Sequence, residues 1–261
     1  MIVDIKFNKH GGIAVLKHID DILYNNKTVT ITFVGDSITY GMDYCRADET
    51  FVAVFTNLIA KKYSGAGVYR YDGKPKDEKS ALLGYNEVLV QDGKEGRINV
   101  IRSGVGGNTV ARALNRFHDY TGVLPSGTRS DFIITMFGIN DALSPDSDKY
   151  VTADVFKDNY RKLINDLKNS EPQAEIILMT ATTSPFSIAE YNKKTEELAK
   201  EYNLNLIDLY SLWNERYSED AENFGYGDWL SGAGDPWHPT ATGAYAMGEK
   251  IFYDFFKCFK G

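Results

Sequence analysis

Ser37, Asp235 and His238 are the residues of this chain whose types and setting could carry nucleophilic chemistry. Ser37 closes the tripeptide Gly35-Asp36-Ser37, directly after the apolar residues Val29, Ile31, Phe33 and Val34. Those residues suit a strand buried on both faces, and glycine lets a chain leave such a strand sharply. The hydroxyl then stands at a strand's carboxyl end, where open α/β sheets bind ligands, which makes it a candidate nucleophile. Gly-Asp-Ser is also a common turn tripeptide, so a base, an orienting acid and oxyanion donors must come from elsewhere.

Residues 223–239 read NFGYGDWLSGAGDPWHP and supply a base. Pro239 fits the first turn of a helix running through Ala244, Met247, Ile251, Phe252 and Phe255, and it holds His238 in a loop. Asp235, three residues before the histidine, can accept from Nδ1–H while Nε2 faces outward as a base. The plainer alternative makes Asp235 a turn residue and His238 a helix cap. His118 is the weaker base candidate, and His10 and His18, without companions at metal spacing, read as surface or edge histidines.

Two other strand ends offer donors. A strand at residues 99–101 breaks into Ser103-Gly104-Val105-Gly106-Gly107-Asn108-Thr109. A dinucleotide fingerprint would need glycine at Thr109, and a P-loop would need a Gly-Lys-Ser/Thr ending. Glycines such as Gly107 instead let backbone N–H groups approach a developing negative charge, and a helix can begin after them. A strand at residues 132–137 ends in Gly138-Ile139-Asn140-Asp141, where the Asn140 amide could donate to an oxyanion or simply form a turn.

The elements that must position these residues follow from periodicity. Phe51, Val52, Phe55, Leu58 and Ile59 recur at helical spacing, which predicts a crossover helix over residues 49–62. Phe156, Tyr160, Leu163, Ile164 and Leu167 mark a second long helix, with Pro172 beyond its end. A strand at 175–179, a Thr-rich loop with Pro185, a helix at 189–202 and a strand at 204–209 follow. Residues 1–28 hold a short apolar segment, Ile13 to Leu16, as a leading strand or helix. Residues 63–96, rich in Gly, Lys, Asp and Tyr, read as an insertion folding over one end of the sheet, with a solvated charge run at 74–79. Five strands alternating with helices, without internal repeats, point to one domain over residues 1–261, a parallel sheet covered on both faces. One sheet edge would gather Ser37, Gly107 and Asn140.

Composition narrows the partners. The 261 residues are 43% hydrophobic, enough to bury a core, and carry 29 basic against 36 acidic residues, a net charge of -7. Neither a nucleic-acid backbone nor an anionic membrane suits that balance, and an uncharged ligand does. Cys45 and Cys258, far apart in sequence, are expected as free thiols, in keeping with a reducing compartment. With no uninterrupted apolar h-region and no stretch of membrane-spanning length, a soluble cytoplasmic protein without membrane insertion is expected, unless a signal was removed.

Together the four segments resemble the SGNH hydrolases, also called the GDSL esterase/lipase family. Gly35-Asp36-Ser37 is similar to that family's nucleophile block, Gly104 to Thr109 to its second, Gly138-Ile139-Asn140-Asp141 to its third and Asp235-Pro236-Trp237-His238 to its last. Arg102 or Ser103 stands where the second block commonly opens with asparagine, and Thr39 stands where the Gly-x-Ser-x-Gly elbow of α/β-hydrolases has its second glycine. The resemblance implies an α/β fold, three-layer α/β/α and flavodoxin-like, with a mainly parallel five-stranded sheet. It implies that Ser37 attacks an ester carbonyl, that His238 takes and returns the proton and that Asp235 orients the imidazole. The Ser37 and Gly107 N–H groups and the Asn140 amide would form the oxyanion hole, with no metal or organic cofactor.

A serine esterase is therefore expected, acting on carboxylic esters and foremost on O-acetyl groups of a carbohydrate. Among the nearby aromatics Phe224, Tyr226, Trp229 and Trp237, the two tryptophans are candidate sugar-stacking surfaces, although such rings also pack loops. The alternatives are a lysophospholipase or thioesterase and a noncatalytic carbohydrate-binding domain. Nothing in the sequence specifies an oligomeric state.

Overall fold

The computed structural model describes residues 15–41, 44–76, 82–182, 188–218, 220–232 and 234–257, and of residues 15–18 the backbone alone. In chain order the strands are β1 (Thr28–Gly35), β2 (Gly67–Pro75), β3 (Leu82–Gln91), β4 (Arg97–Gly104), β5 (Phe132–Met136), β6 (Glu175–Met179) and β7 (Asn205–Ile207). The helices are α1 (Val15–Tyr24), α2 (Ser37–Tyr40), α3 (Phe51–Lys62), α4 (Val110–Asn115), α5 (Ala153–Ser170), α6 (Ile188–Tyr202), α7 (Leu209–Arg216) and α8 (Ala241–Lys257).

The strands form one sheet in the order β3-β2-β4-β1-β5-β6-β7. Every pairing is parallel except β2 with β3. The five strands from β4 to β7 in that order have flavodoxin-like order, with the switch in direction of winding beside β1. The strand β1, TVTITFVG, is buried along all but its first residue, as a central strand covered on both faces must be.

The sheet has seven strands rather than the expected five. The additional two come from residues 67–75 and 82–91, which widen the sheet at its edge instead of folding over one end. Their polar sequences hid them. On β2, Arg70 and Asp72 are buried together in a bidentate pair of 2.8 and 3.0 Å, and Arg102 Nε lies 3.1 Å from the same carboxylate. On β3, an edge strand, Leu83 and Leu89 face solvent.

Helices cover both faces. In one layer α3 packs along α8, which also touches α1 and α7; in the other, α5 packs against α4 and α6. Phe55 of α3 anchors the first layer, meeting Phe33 at 5.1 Å and Phe255 at 5.6 Å edge to face. The helix α3 starts at Phe51, two residues later than expected, where Thr50 accepts from Ala53 N–H. Pro239 lies outside α8, in a bridge to Leu230, and the Thr240 hydroxyl accepts from Gly243 N–H at 3.4 Å. The leading segment is helical from Val15. His10, Pro185, Cys258 and the side chain of His18 lie outside the described residues.

Register places the site. Gly35 at the end of β1 is level with Gly104 of β4 and Met136 of β5, so three parallel strands release their following turns at one edge. A Cβ at Gly104 would lie 2.2 Å from Tyr40 N, so α2 can lie across that strand end only above a glycine.

The α3–α8 contact is equally close at Gly248, where a Cβ would sit 2.6 Å from Val54 Cβ and 2.8 Å from Phe51 O. Alanine improves helix propensity by about 1 kcal/mol, but overpacking a fixed core costs about 1–3 kcal/mol. Gly248→Ala is therefore expected to destabilise the protein in urea unfolding; a raised midpoint would refute that packing argument.

Candidate active site

Ser37 begins α2, a single turn held at both ends. Asp36 caps it by accepting from Ile38 N–H at 2.9 Å, and Gly41 N–H donates to Ser37 O at 2.8 Å with a left-handed φ of 72°. The Ser37 hydroxyl lies 2.9 Å from His238 Nε2, although 201 residues separate them. His238 Nδ1 lies 2.7 and 2.9 Å from the two Asp235 carboxylate oxygens, and His238 N–H donates to the nearer one at 3.3 Å. A carboxylate has no proton to give, so Nδ1 carries the hydrogen and Nε2 is left to accept from the serine. The His238 carbonyl accepts from Ser231 N–H at 3.2 Å, and Asp235 N–H donates to Gly232 O at 2.9 Å, which fixes the loop from behind.

These groups border a cleft of about 330 Å³ whose walls include Ser37, Gly107, Asn140, Trp237 and His238. Gly107 turns the chain there with a left-handed φ of 67°. Thr109 caps α4 by accepting from Arg112 N–H at 3.2 Å, although that helix runs for six residues only. The Asn140 amide donates to Asn108 O at 3.1 Å and more weakly to Asp36 Oδ2 at 3.4 Å. Of the two candidate tryptophans the structure brings one to the cleft. Trp229 does not line it: its ring meets Trp213 edge on at 5.3 Å and the Arg216 guanidinium at 5.6 Å. His118 is exposed beside Asp119, against another surface depression.

Several partners lay beyond sequence reasoning. Tyr44 stacks face to face on His238, with centroids 3.4 Å apart and planes 12° from parallel. Its neighbour Cys45, a free thiol whose pKa burial pushes up to about 11, donates to Pro239 O at 3.6 Å. The turn after α2 therefore grips the histidine loop. Tyr44 stands seven residues from Ser37, but nothing in that spacing identifies the ring it will meet. Arg116 is also invisible in sequence: it is buried, donating to Asn108 Oδ1 at 2.6 Å, Ser103 Oγ at 3.0 Å, Gly35 O at 3.0 Å and Ser103 O at 2.9 Å.

Two carboxyls lie under the cleft. Burial pushes Asp36 up to about 7, against hydrogen bonds from Ile38 N–H and the Asn140 amide that favour its anion. Burial, reinforced by Asp36, pushes Asp141 up to about 8, although Val110 N–H donates to it at 3.2 Å. Among the described residues no cluster of His, Cys, Asp and Glu could hold a metal, and no helix is long and apolar enough to cross a membrane.

A model of the GDSL-like lipase/acylhydrolase family matches residues 66–246, more than half of the chain. The chain belongs to the GDSL-like lipase/acylhydrolase family. That match begins beyond Ser37, so the turn bearing Ser37 is tied to the family's region by contacts in space, those to His238 above all. The fold of this GDSL-type chain is similar to that of a peptidoglycan O-acetylesterase, at 13% identity, a TM-score of 0.69 and coverage of 97% of this chain and 98% of the other. It is also similar to a lipase/acylhydrolase from Enterococcus faecalis (23% identity, TM-score 0.59, 89% and 97% covered). An acetylxylan esterase from Geobacillus stearothermophilus is a further such structure (21% identity, TM-score 0.58, 89% and 94% covered). No curated protein matches the sequence.

Two measurements probe the electrostatics. Because the folded Asp36 and Asp141 hold protons that the unfolded chain gives up near pH 4, their contribution to stability is present at low pH. It is lost as pH rises through about 7 and about 8. Asp141→Asn cannot ionise, so its denaturant midpoint is expected to fall less than wild type between pH 5 and pH 8; parallel curves would exclude the assignment. Tyr44→Ala is expected to lower kcat by up to about tenfold, the upper range for one aromatic pair, with an unchanged circular dichroism spectrum. Unaltered kinetics would show that the stack does not position the imidazole.

Proposed function

We propose that this GDSL-type acylhydrolase is a serine esterase that removes O-acetyl groups from carbohydrate through an acyl-serine intermediate. The observation that carries the reading is the continuous contact from Ser37 Oγ through His238 to Asp235 at the wall of a small cleft.

In this mechanism Ser37 Oγ attacks the ester carbonyl carbon while its proton passes to His238 Nε2. The carbonyl oxygen becomes an oxyanion, received by the Ser37 and Gly107 N–H groups and the Asn140 amide. Of the two Asn140 amide hydrogens, the one in the longer 3.4 Å contact with Asp36 is the more weakly held and is the one offered to the oxyanion. Collapse of the tetrahedral intermediate breaks the C–O bond, and the alkoxide leaves with the proton from His238. Water, deprotonated by the same nitrogen, then attacks the acyl-serine and releases acetic acid and Ser37. Asp235 keeps its charge throughout and stabilises the imidazolium.

The acetyl preference is supported by the cleft. About 330 Å³ is near the lower end for small-molecule sites, and only Ile139 and Leu143 among its lining residues are aliphatic. A lysophospholipid or thioester acyl chain would need an apolar channel. Two of the structures of similar fold are named as O-acetyl or acetylxylan esterases, which supports the same chemistry by analogy. Trp237, on the cleft wall next to the base, offers a face for a sugar ring.

Hydrolysis of p-nitrophenyl acetate is expected to fall by on the order of 10⁶ in kcat for Ser37→Ala. Equal rates for the two proteins, or none for either, would sink the assignment. Asn140→Ala should cost about 10²–10³ in kcat with KM little changed, as removal of one oxyanion donor does. Activity should decline toward acid pH as His238 takes up a proton and can no longer accept from Ser37; a flat profile between pH 5 and pH 8 would exclude it as the base.

A further inference from the structure

Beside the cleft runs a larger groove of about 900 Å³, walled by Leu143, Tyr150, Asp154, Glu190, Lys193 and Lys194. Leu143 is a wall of both, and Lys149 of the cleft is followed directly by Tyr150 of the groove. The two depressions therefore adjoin at Leu143. We propose that this groove binds the uncharged oligosaccharide chain that carries the scissile acetyl group, placing the alcohol side of the ester there and the acyl side in the cleft. The assignment rests on the esterase reading above and adds where the substrate's bulk lies and what its chemistry is.

Size and chemistry both favour that occupant. The cleft takes a small acyl group, whereas about 900 Å³ is near the upper end of small-molecule sites and receives several ring units. An acyl chain laid along Glu190, Lys193 and Lys194 would strip water from charged groups without replacing their hydrogen bonds, which disfavours it. A polyanion would find no surplus of cations, because Lys194 Nζ is held 2.7 Å from Asp154 Oδ1 and the two lysines of the groove wall are matched in number by the carboxylates of Asp154 and Glu190. A neutral polyhydroxyl chain satisfies both signs, accepting from the ammonium groups and donating to the carboxylates. The Tyr150 ring and Leu143 meet the apolar faces of its sugar rings. The surface is also firm: Tyr191 of α6 is buried edge to face against Phe156 of α5 and donates to Val151 O, so the helices beneath the groove are fixed before substrate arrives.

The test measures kcat/KM for three series: O-acetylated neutral oligosaccharides of increasing length, p-nitrophenyl acetate, and p-nitrophenyl esters of increasing acyl length. Wild type is expected to gain about tenfold with saccharide length, mostly through KM. Lys193→Trp, which fills the groove from an exposed position on α6, and Tyr150→Ala should lose that gain and keep the p-nitrophenyl acetate rate within about twofold. A rate independent of saccharide length, or a gain unchanged in both variants, would overturn the proposal. So would a gain with acyl length that Lys193→Trp abolishes, or a preference for polyanionic chains. Should wild type not hydrolyse p-nitrophenyl acetate, the esterase reading itself fails. Calorimetric titration with deacetylated oligosaccharides then decides the groove alone: length-dependent binding lost in Lys193→Trp supports it, and no binding refutes it.

Discussion

Arg116 carries its guanidinium into the interior, 2% exposed, and donates to Gly35 O, Ser103 O, Ser103 Oγ and Asn108 Oδ1. Gly35 ends β1, Ser103 precedes the last residue of β4, and Asn108 sits in the turn that follows, so one side chain joins two strand ends to one loop. Asn108 O in turn receives the Asn140 amide from the turn after β5, which brings in the third strand end. Burying such a cation is costly, and burial lowers its pKa while the nearby Asp119 opposes the shift. Four hydrogen bonds in a planar fork offset that cost. Two of the four acceptors are backbone carbonyls at the ends of β1 and β4, so the network holds main chain as well as side chains, and the turns bearing Ser37, Gly107 and Asn140 are held with it.

The same constraint accounts for Arg102, the residue at a place where the second block of the family commonly begins with asparagine. Its side chain is fully buried, donating to Tyr40 O at the end of α2 and lying against Asp72. Through Asp72 and Arg70 the strand β2 contributes to holding the turn that bears Ser37. Residues 67–75 therefore act on the site from outside it, a role that a loop folded over the sheet would not have had.

The strands β1, β5 and β6 were legible because each is a short, largely apolar run that ends at a glycine or in a loop, the composition expected of strands buried on both faces. The reading failed at β2 and β3, where buried charges satisfy one another and an edge strand faces water, so neither shows the pattern that identifies a strand. Within the site, what could be read was local: Ser37 after a strand, Asp235 three residues before His238, glycines at a turn. What could not be read was made by folding: the Tyr44 ring on His238, the Arg116 network, and the burial of Trp229's neighbourhood around Trp213 instead of along the cleft. A side chain's type does not encode which of two loops it will face.

Closing the site requires a contact across 201 residues, and its precision depends on how α8 is seated. The loop bearing Asp235 and His238 leads straight into α8, and α8 is packed on α3, which the chain enters just after the turn bearing Ser37, Tyr44 and Cys45. Gly243 and Gly248 let α8 approach closely, one against Trp229 O and the other against Val54 and Phe51 O. A displaced α8 would carry the imidazole with it, and a hydrogen bond of 2.9 Å tolerates little movement before it is lost. Tyr44 and Cys45 add a second, local tie between the two loops. The distance between Ser37 and His238 is thus set in part by the close packing of α3 and α8, outside the cleft itself.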